Sequence, residues 1–327
     1  VLAFVLRRLI QAAAVMAVVA FIAFSLFQYV GDPVLAMVGQ DATPQERQQL
    51  RTDLGLDQPF YAQFARFAVN AAQGEFGLSY RQSRKVSTLM RERLPATLEL
   101  SLAAAVLALA LGIPMGVYTA LRRRGLLSGV FLTVSLLGVS LPTFLIGILL
   151  IMLFAVQLGW LPSYGRGETV AIGWWTSGLL TSDGLRHLVL PAITLCLFQT
   201  TLIMRLVRSE MLEVLRADYI RFARARGLTD RAIHFGHALK NTLVPVITIA
   251  GLQLGAIIAF AIITETVFQW PGMGLLFIQA VQGADIPIMA AYLCLIALLF
   301  VLINLAVDLL YFAVDPRLRM ERGIAAH

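Results

Sequence analysis

Six long stretches of this sequence contain no Asp, Glu, Lys or Arg: Leu9–Val30, Leu100–Leu121, Leu126–Trp160, Leu188–Met204, Thr242–Thr264 and Ile286–Val307. A helix rises about 1.5 Å per residue, so about 20 apolar residues cross the hydrocarbon core of a bilayer. Inside lipid every backbone N–H and C=O needs an internal partner, which leaves the helix as the form open to runs of this length. The expected fold class is therefore an all-α integral membrane protein with six transmembrane helices. Composition points the same way. The chain is 59% hydrophobic and 14% charged, with a mean hydropathy of +0.79, whereas a soluble domain is about a quarter charged.

The third stretch is too long for one simple span, and Pro142 interrupts it. It reads either as one tilted helix with an interfacial entry or as two spans. Charge decides. With six spans and an inner N-terminus, 16 of the 26 Lys and Arg fall on the inner side, including Arg122–Arg124 and eight between Arg205 and Lys240. Splitting the third stretch would put the 205–240 segment outside, against the positive-inside rule. The formal charge of +7 is thus read as inner-side arginine, not as a nucleic-acid surface. Arg7 and Arg8 precede a first stretch too long for a signal peptide and without a clear cleavage site, so it is expected to remain as a span.

The expected organisation is a tail and first span over 1–30, a long outer segment over 31–99, a five-span core over 100–314, and a tail over 315–327. Within the outer segment, Thr43-Pro44-Gln45-Glu46 has the form of a capping box with a first-turn proline. Phe60, Phe64 and Phe67 recur at helical spacing beside Tyr61, which predicts an amphipathic helix lying on the membrane or on the protein. Trp174 and Trp175, in the loop 162–187, suit a membrane interface. Prolines and glycines inside the spans (Gly112, Pro114, Gly116, Gly138, Pro142, Pro191) read either as breaks beside a cavity or as helix-packing positions.

The sequence contains no G-x-x-x-x-G-K-[ST], no H-E-x-x-H and no G-x-S-x-G, so no catalytic residue is assigned. Cys196 and Cys294 lie in apolar stretches and read as core residues; His234 and His237 lack a third ligand, so no metal site is assigned. The spans hold no acid–base ladder of the kind that serves proton-driven carriers. Their polar residues are mild, and Ser140, Gln199 and Gln253 are the candidates for lining a pathway. A channel-like body without its own energy source leaves one elaborate segment to explain, DYIRFARARGLTDRAIHFGHALKNTLVP at 218–245.

From Ser209 to Arg226 the pattern is helical, with Leu212, Leu215, Tyr219 and Phe222 on one face and Arg216, Arg221 and Arg224 on the other. Gly227 stands where a helix ends in a left-handed residue. Thr229 and Asp230 offer a cap and an acidic first turn to a second, shorter helix carrying Ile233, His237 and Leu239. Two helices meeting at a stiff corner suit a docking element, which must transmit movement.

This segment resembles the EAA loop of the permease subunits of bacterial ABC importers. On that family's E-A-A-x3-G-x9-I-x-L-P pattern, Ala223 takes the second alanine, Gly227 the glycine and Leu239 the leucine, while Arg221, Phe222, His237 and Lys240 depart from it. The departures are similar to those of the dipeptide/oligopeptide/nickel branch. So are ERLPATLELSLAAA at 92–105, GVSLPTFLIG at 138–147, LGWLPSYG at 158–165 and TETVFQWPGMG at 264–274.

The resemblance implies a type I importer permease in the bacterial inner membrane with both termini cytoplasmic and the 31–99 segment periplasmic. It implies half of a pathway for short peptides, shared with a second homologous permease, most simply as a heterodimer. Two cytoplasmic ABC ATPases would bind ATP and Mg, none being bound by this chain, and a periplasmic solute-binding protein would deliver the solute. The 205–241 segment would be the ATPase-coupling loop, with its coupling helix near Thr229–Phe235 and Ala223, Gly227, Leu228, Thr229, Asp230, Arg231, Ile233 and Leu239 as the coupling residues. Glu265, Pro271 and Gly272 would lie near an outer gate. The alternatives are an importer of the same branch for nickel chelates, glutathione, opines or oligosaccharides, and an ATPase-independent channel or secondary carrier.

Overall fold

A computed structural model describes residues 2–29, 34, 43–53 and 57–314. In chain order the elements are helices α1 (Leu2–Tyr29), α2 (Pro44–Asp53), α3 (Phe60–Ala72), α4 (Val86–Leu121), α5 (Leu126–Ser140) and α6 (Thr143–Leu150). A π-helical turn, Ile151–Gln157, extends α6. The hairpin strands β1 (Val170–Ile172) and β2 (Trp175–Ser177) follow, then α7 (Ser182–Val214), α8 (Asp218–Ala225), a π-helical segment Ala232–Ala238, α9 (Leu239–Val267), α10 (Met273–Gln282) and α11 (Ile286–Val314). The short hairpin, paired Ile172 to Trp175 and Val170 to Ser177, and an isolated antiparallel bridge between Leu78 and Lys85 are departures from all-α.

Five of these helices are individually long and apolar enough to cross a membrane, and α5 with α6 makes a sixth span if the pair counts as one. The third stretch is thus not a straight tilted helix. It breaks between Ser140 and Thr143 with a bend of 112°. Pro142 explains the position, since it has no N–H to continue the helix and its ring disfavours α conformation in Leu141. Other helices overrun their apolar stretches. α4 begins at Val86, inside the segment read from sequence as the outer loop, and α7 extends to Val214.

The chain forms two compact units: Val1–Thr97 with Val170–Ser177 and Pro271–Val301, and Leu98–Thr169 with Gly178–Trp270 and Leu302–His327. The core of the first joins Val86, Leu89 and Met90 to Met273, Leu276, Ala280, Ile288, Ala291 and Tyr292. The capping box forms as expected. The Thr43 N–H donates to the Glu46 carboxylate at 2.9 Å, and the Glu46 N–H donates to the Thr43 hydroxyl at 3.3 Å. The Thr43 N–H, together with the Thr43 hydroxyl that lies 2.9 Å from the same carboxylate oxygen, holds the Glu46 carboxyl below its ordinary range. The phenylalanine helix lies on the protein: Phe24 of α1 has its ring 5.1 Å from Phe60 and 5.6 Å from Phe64, and Phe21 adds edge contacts to both.

In the second unit α7 is the central helix. It buries Leu190, Leu195, Cys196, Ile203, Met204 and Val207, and packs most extensively on α9. Gly112 and Gly116 of α4 are packing glycines. A β-carbon on Gly116 would lie 2.6 Å from Val207 Cβ and 2.8 Å from the Met204 carbonyl oxygen, and one on Gly112 would lie 2.9 Å from Ile203 Cγ2. Such small-residue contacts let membrane helices approach closely. Gly116→Leu is therefore expected to cost at least the roughly 1–3 kcal/mol typical of overpacking, because a main-chain carbonyl cannot rotate aside. A lowered unfolding midpoint in detergent checks this, and an unchanged midpoint contradicts it.

Candidate functional site

The segment singled out in the sequence folds as an elbow. α8 ends at Ala225, and Gly227 has φ +81°. The Gly227 N–H donates to the Arg224 carbonyl at 2.9 Å and the Leu228 N–H to the Ala223 carbonyl at 3.3 Å. This pair of bonds is the Schellman motif, which satisfies the last carbonyls of the helix and needs a left-handed residue. Thr229 then starts the next helix, its hydroxyl accepting from the Ala232 N–H at 3.4 Å and its carbonyl from the Ile233 N–H at 3.0 Å.

Two expectations change. The helix expected over Ser209–Arg226 is broken at 215–217, where the Ala217 N–H turns back to the Val214 carbonyl and Ala217 itself is extended (φ −65°, ψ 148°). The helix after Thr229 is not a short separate piece: it runs through the π-helical Ala232–Ala238 directly into the spanning α9. Burial explains the first change. Met211, Ile220 and Ile233 are all fully buried, and one straight helix cannot turn Met211 and Ile220, nine positions apart, onto the same core.

Consequently the apolar face read from the sequence is partly open at Tyr219 and Phe222, as is Phe235 on the next helix. Tyr219 is 44% exposed, Phe222 63% and Phe235 55%. Gly227, Thr229, Asp230 and Arg231 are exposed at the tip, Ala223, Leu228 and Leu239 are half-buried, and Ile233 is an internal anchor. A bond that sequence reasoning missed ties the two arms together, from Asn241 Nδ2 to the Tyr219 hydroxyl at 2.8 Å. The 22-residue separation left no local signal for it. Beneath it the Thr242 hydroxyl meets Met211 Sδ at 3.5 Å. The elbow is thus closed by a helix stop, a cap, a cross-bond and two buried isoleucines. It presents aromatic and charged side chains outward.

The other candidates are dispersed. Ser140 is exposed at the α5–α6 break and Gln253 is half-buried on α9. Gln199 is 3% exposed, enclosed within the second unit, and its Oε1 has no partner among the described residues. Glu265 is fully buried, and its carbonyl accepts the Trp270 N–H at 2.8 Å. Pro271 precedes Gly272, the extended residue that starts α10, where the Met273 N–H donates to the Thr97 hydroxyl at 2.8 Å. His234 and His237 both lie on the π-helical segment, and no cluster of three or more metal-binding side chains occurs among the described residues.

Comparison with known proteins agrees over nearly the whole chain. The family model described as "Binding-protein-dependent transport system inner membrane component" matches residues 112–320, and the N-terminal model of the same transport systems matches residues 1–102. The sequence is 42% identical to the di/tripeptide transport system permease protein DppB of Pseudomonas aeruginosa, over 98% of this chain and 100% of that one. It is 37% identical to the dipeptide transport system permease protein DppB of Escherichia coli, over 98% of this chain and 100% of that one. Among solved structures, an inward-facing form of the MetNI methionine ABC transporter is similar in fold, with a TM-score of 0.56 and 21% identity over 69% of this chain and 96% of that one.

Proposed function

The chain belongs to the family of binding-protein-dependent transport system inner membrane components, and from that premise we propose that its elbow is the grip through which separate ATPases drive peptide import. It is a multi-pass inner-membrane permease subunit of an ABC importer of the peptide branch. The observation that carries the coupling role is continuity. The tip at Gly227–Arg231 is fixed by its own bonds and leads without a break into a helix that runs to Val267, long enough to cross the bilayer. A push at the tip is therefore delivered to a span and not absorbed by a linker.

The exposed Phe222 and Phe235, with Arg221, Arg224 and Arg231 around them, form the surface offered to the ATPase. The arginine excess of 205–240 supports a cytoplasmic position for this surface and for both termini. Two ATPases, a second homologous permease in a heterodimer and a periplasmic binding protein complete the machine, with ATP and Mg held by the ATPases. ATP shifts the transporter between inward- and outward-facing states only through differential binding to the two. Of the residues read as coupling, Ile233 acts by holding the elbow's shape, since it is fully buried.

Single cysteines test this reading. Cysteine at Thr229 or Arg231 is expected to cross-link to a co-purifying ATPase, and cysteine at Arg81 is not. Failure of the elbow cysteines to capture a nucleotide hydrolase, or their labelling from outside the cell, would sink the coupling role.

A further inference from the structure

The surface of the first unit holds a cavity of about 280 Å³. Its polar rim is Arg81, Gln82, Gln279 and Gln282, and Leu276 and Ile288, each 2% exposed, form its apolar floor. The site is held in shape from below. The buried Asp285 carboxylate accepts from the Ser79 hydroxyl, from the Tyr80 N–H at 3.2 Å and from the Arg81 N–H at 3.3 Å, which pins the turn carrying Arg81 to the start of α11. The Arg81 side chain then lies flat against Gly283, where a β-carbon would fall 2.6 Å from its Cδ and 2.8 Å from its Nε. Neighbouring Arg84 is paired, Nη1 to Glu92 Oε2 at 3.1 Å. Among the described residues no hydrogen bond or ion pair engages the Arg81 guanidinium or the three glutamine side-chain amides.

We propose that this cavity binds the C-terminal end of a short peptide, with Arg81 taking the terminal carboxylate. This rests on the peptide-permease reading and adds a substrate contact to it. A guanidinium presents parallel N–H donors that match a carboxylate in bidentate fashion. Glutamine amides both donate and accept, as the N–H and C=O of a peptide unit require. Asp285 also lines the cavity, but it is 1% exposed and its carboxylate is turned to three neutral donors, whereas Arg81 is exposed on the rim. Leu276 and Ile288 give an apolar last side chain a surface out of water. A cavity of this volume is near the lower limit for small-molecule sites, which fits one chain end and not a folded partner.

The test uses the complete transporter with its ATPases and second permease in lipid nanodiscs, without binding protein. The probes are alanyl-leucine and its C-terminal amide. Alanyl-leucine is expected to bind at least tenfold more tightly than the amide. Arg81→Gln should erase that difference, Arg81→Lys should keep part of it, and Gln279→Ala should weaken both probes. Equal binding of the two probes to the wild type, or discrimination unchanged in Arg81→Gln, would overturn the proposal. So would an Arg81→Gln effect confined to the affinity for the binding protein, since the carboxylate would then come from that protein. ATP-dependent peptide uptake by the wild-type complex is measured with binding protein added. Its absence refutes the permease reading, whereas normal uptake without an Arg81 effect refutes this site alone.

Discussion

Arg166→Met is expected to destabilise the protein by about 3–5 kcal/mol, the range for removing one partner of a buried ion pair. Arg166 Nη2 lies 2.6 Å from Glu99 Oε2, with the two side chains 7% and 5% exposed. The same carboxylate oxygen accepts the Gly178 N–H at 3.2 Å. One residue earlier, the Gly165 N–H donates to the Phe268 carbonyl at 2.9 Å. Two adjacent residues of the loop after α6 thus tie that loop, within the second unit, to α4 and to the end of α9. Loss of the guanidinium leaves Glu99 charged in a site that water hardly reaches, so the penalty is the uncompensated charge more than the missing attraction. Glu99→Met combined with Arg166→Met should therefore recover much of the loss, because apolar pairs of similar volume are often neutral replacements. Thermal unfolding of the detergent-solubilised protein reads both variants. A double variant as unstable as the sum of the singles would refute the assignment, and so would an Arg166→Met protein with the wild-type midpoint.

Gly227→Val is expected to abolish most substrate-stimulated ATP hydrolysis and transport while leaving the protein inserted and assembled. The residue has φ +81°, and a β-carbon there meets nothing within 4 Å. Crowding is therefore not the issue. The penalty is conformational, roughly 1–2 kcal/mol for an L-residue in the left-handed region and more for a β-branched one. A penalty of that size lowers the population of the native corner relative to other backbone arrangements by about 5–30-fold. Gly227→Asn separates this cause from others, since Asn visits the left-handed region at lower cost and should retain substantial coupling. Full stimulation of the ATPase by substrate in the Val variant would remove Gly227 from the coupling path.

The legible parts of this protein share one property: their signals are local. Charge-free stretches specified the spans, because lipid leaves the backbone no other partner than itself. Thr43 and Glu46 announced their cap, and a glycine after an amphipathic run announced the left-handed stop at Gly227. The candidate elbow was visible because helix stop, cap and acidic first turn all fall within a few residues.

What stayed hidden depends on groups far apart in the chain. Tyr219 and Asn241, Glu99 and Arg166, and Ser79 and Asp285 find one another only when the chain folds. The break at 215–217 lies among good helix formers, and the burial of Met211 and Ile220 overrides their propensity. Sequence also left Phe60, Phe64 and Phe67 free to lie on lipid or on protein; Phe21 and Phe24 decided for protein.

The sequence by itself determined that this chain crosses a membrane as helices and carries a stiff corner at Gly227, since solvent transfer and backbone sterics act residue by residue. Only the tertiary structure decided that the corner runs unbroken into a span, which aromatics it leaves open, and where buried charges pair. Those outcomes depend on which distant surfaces exclude water together.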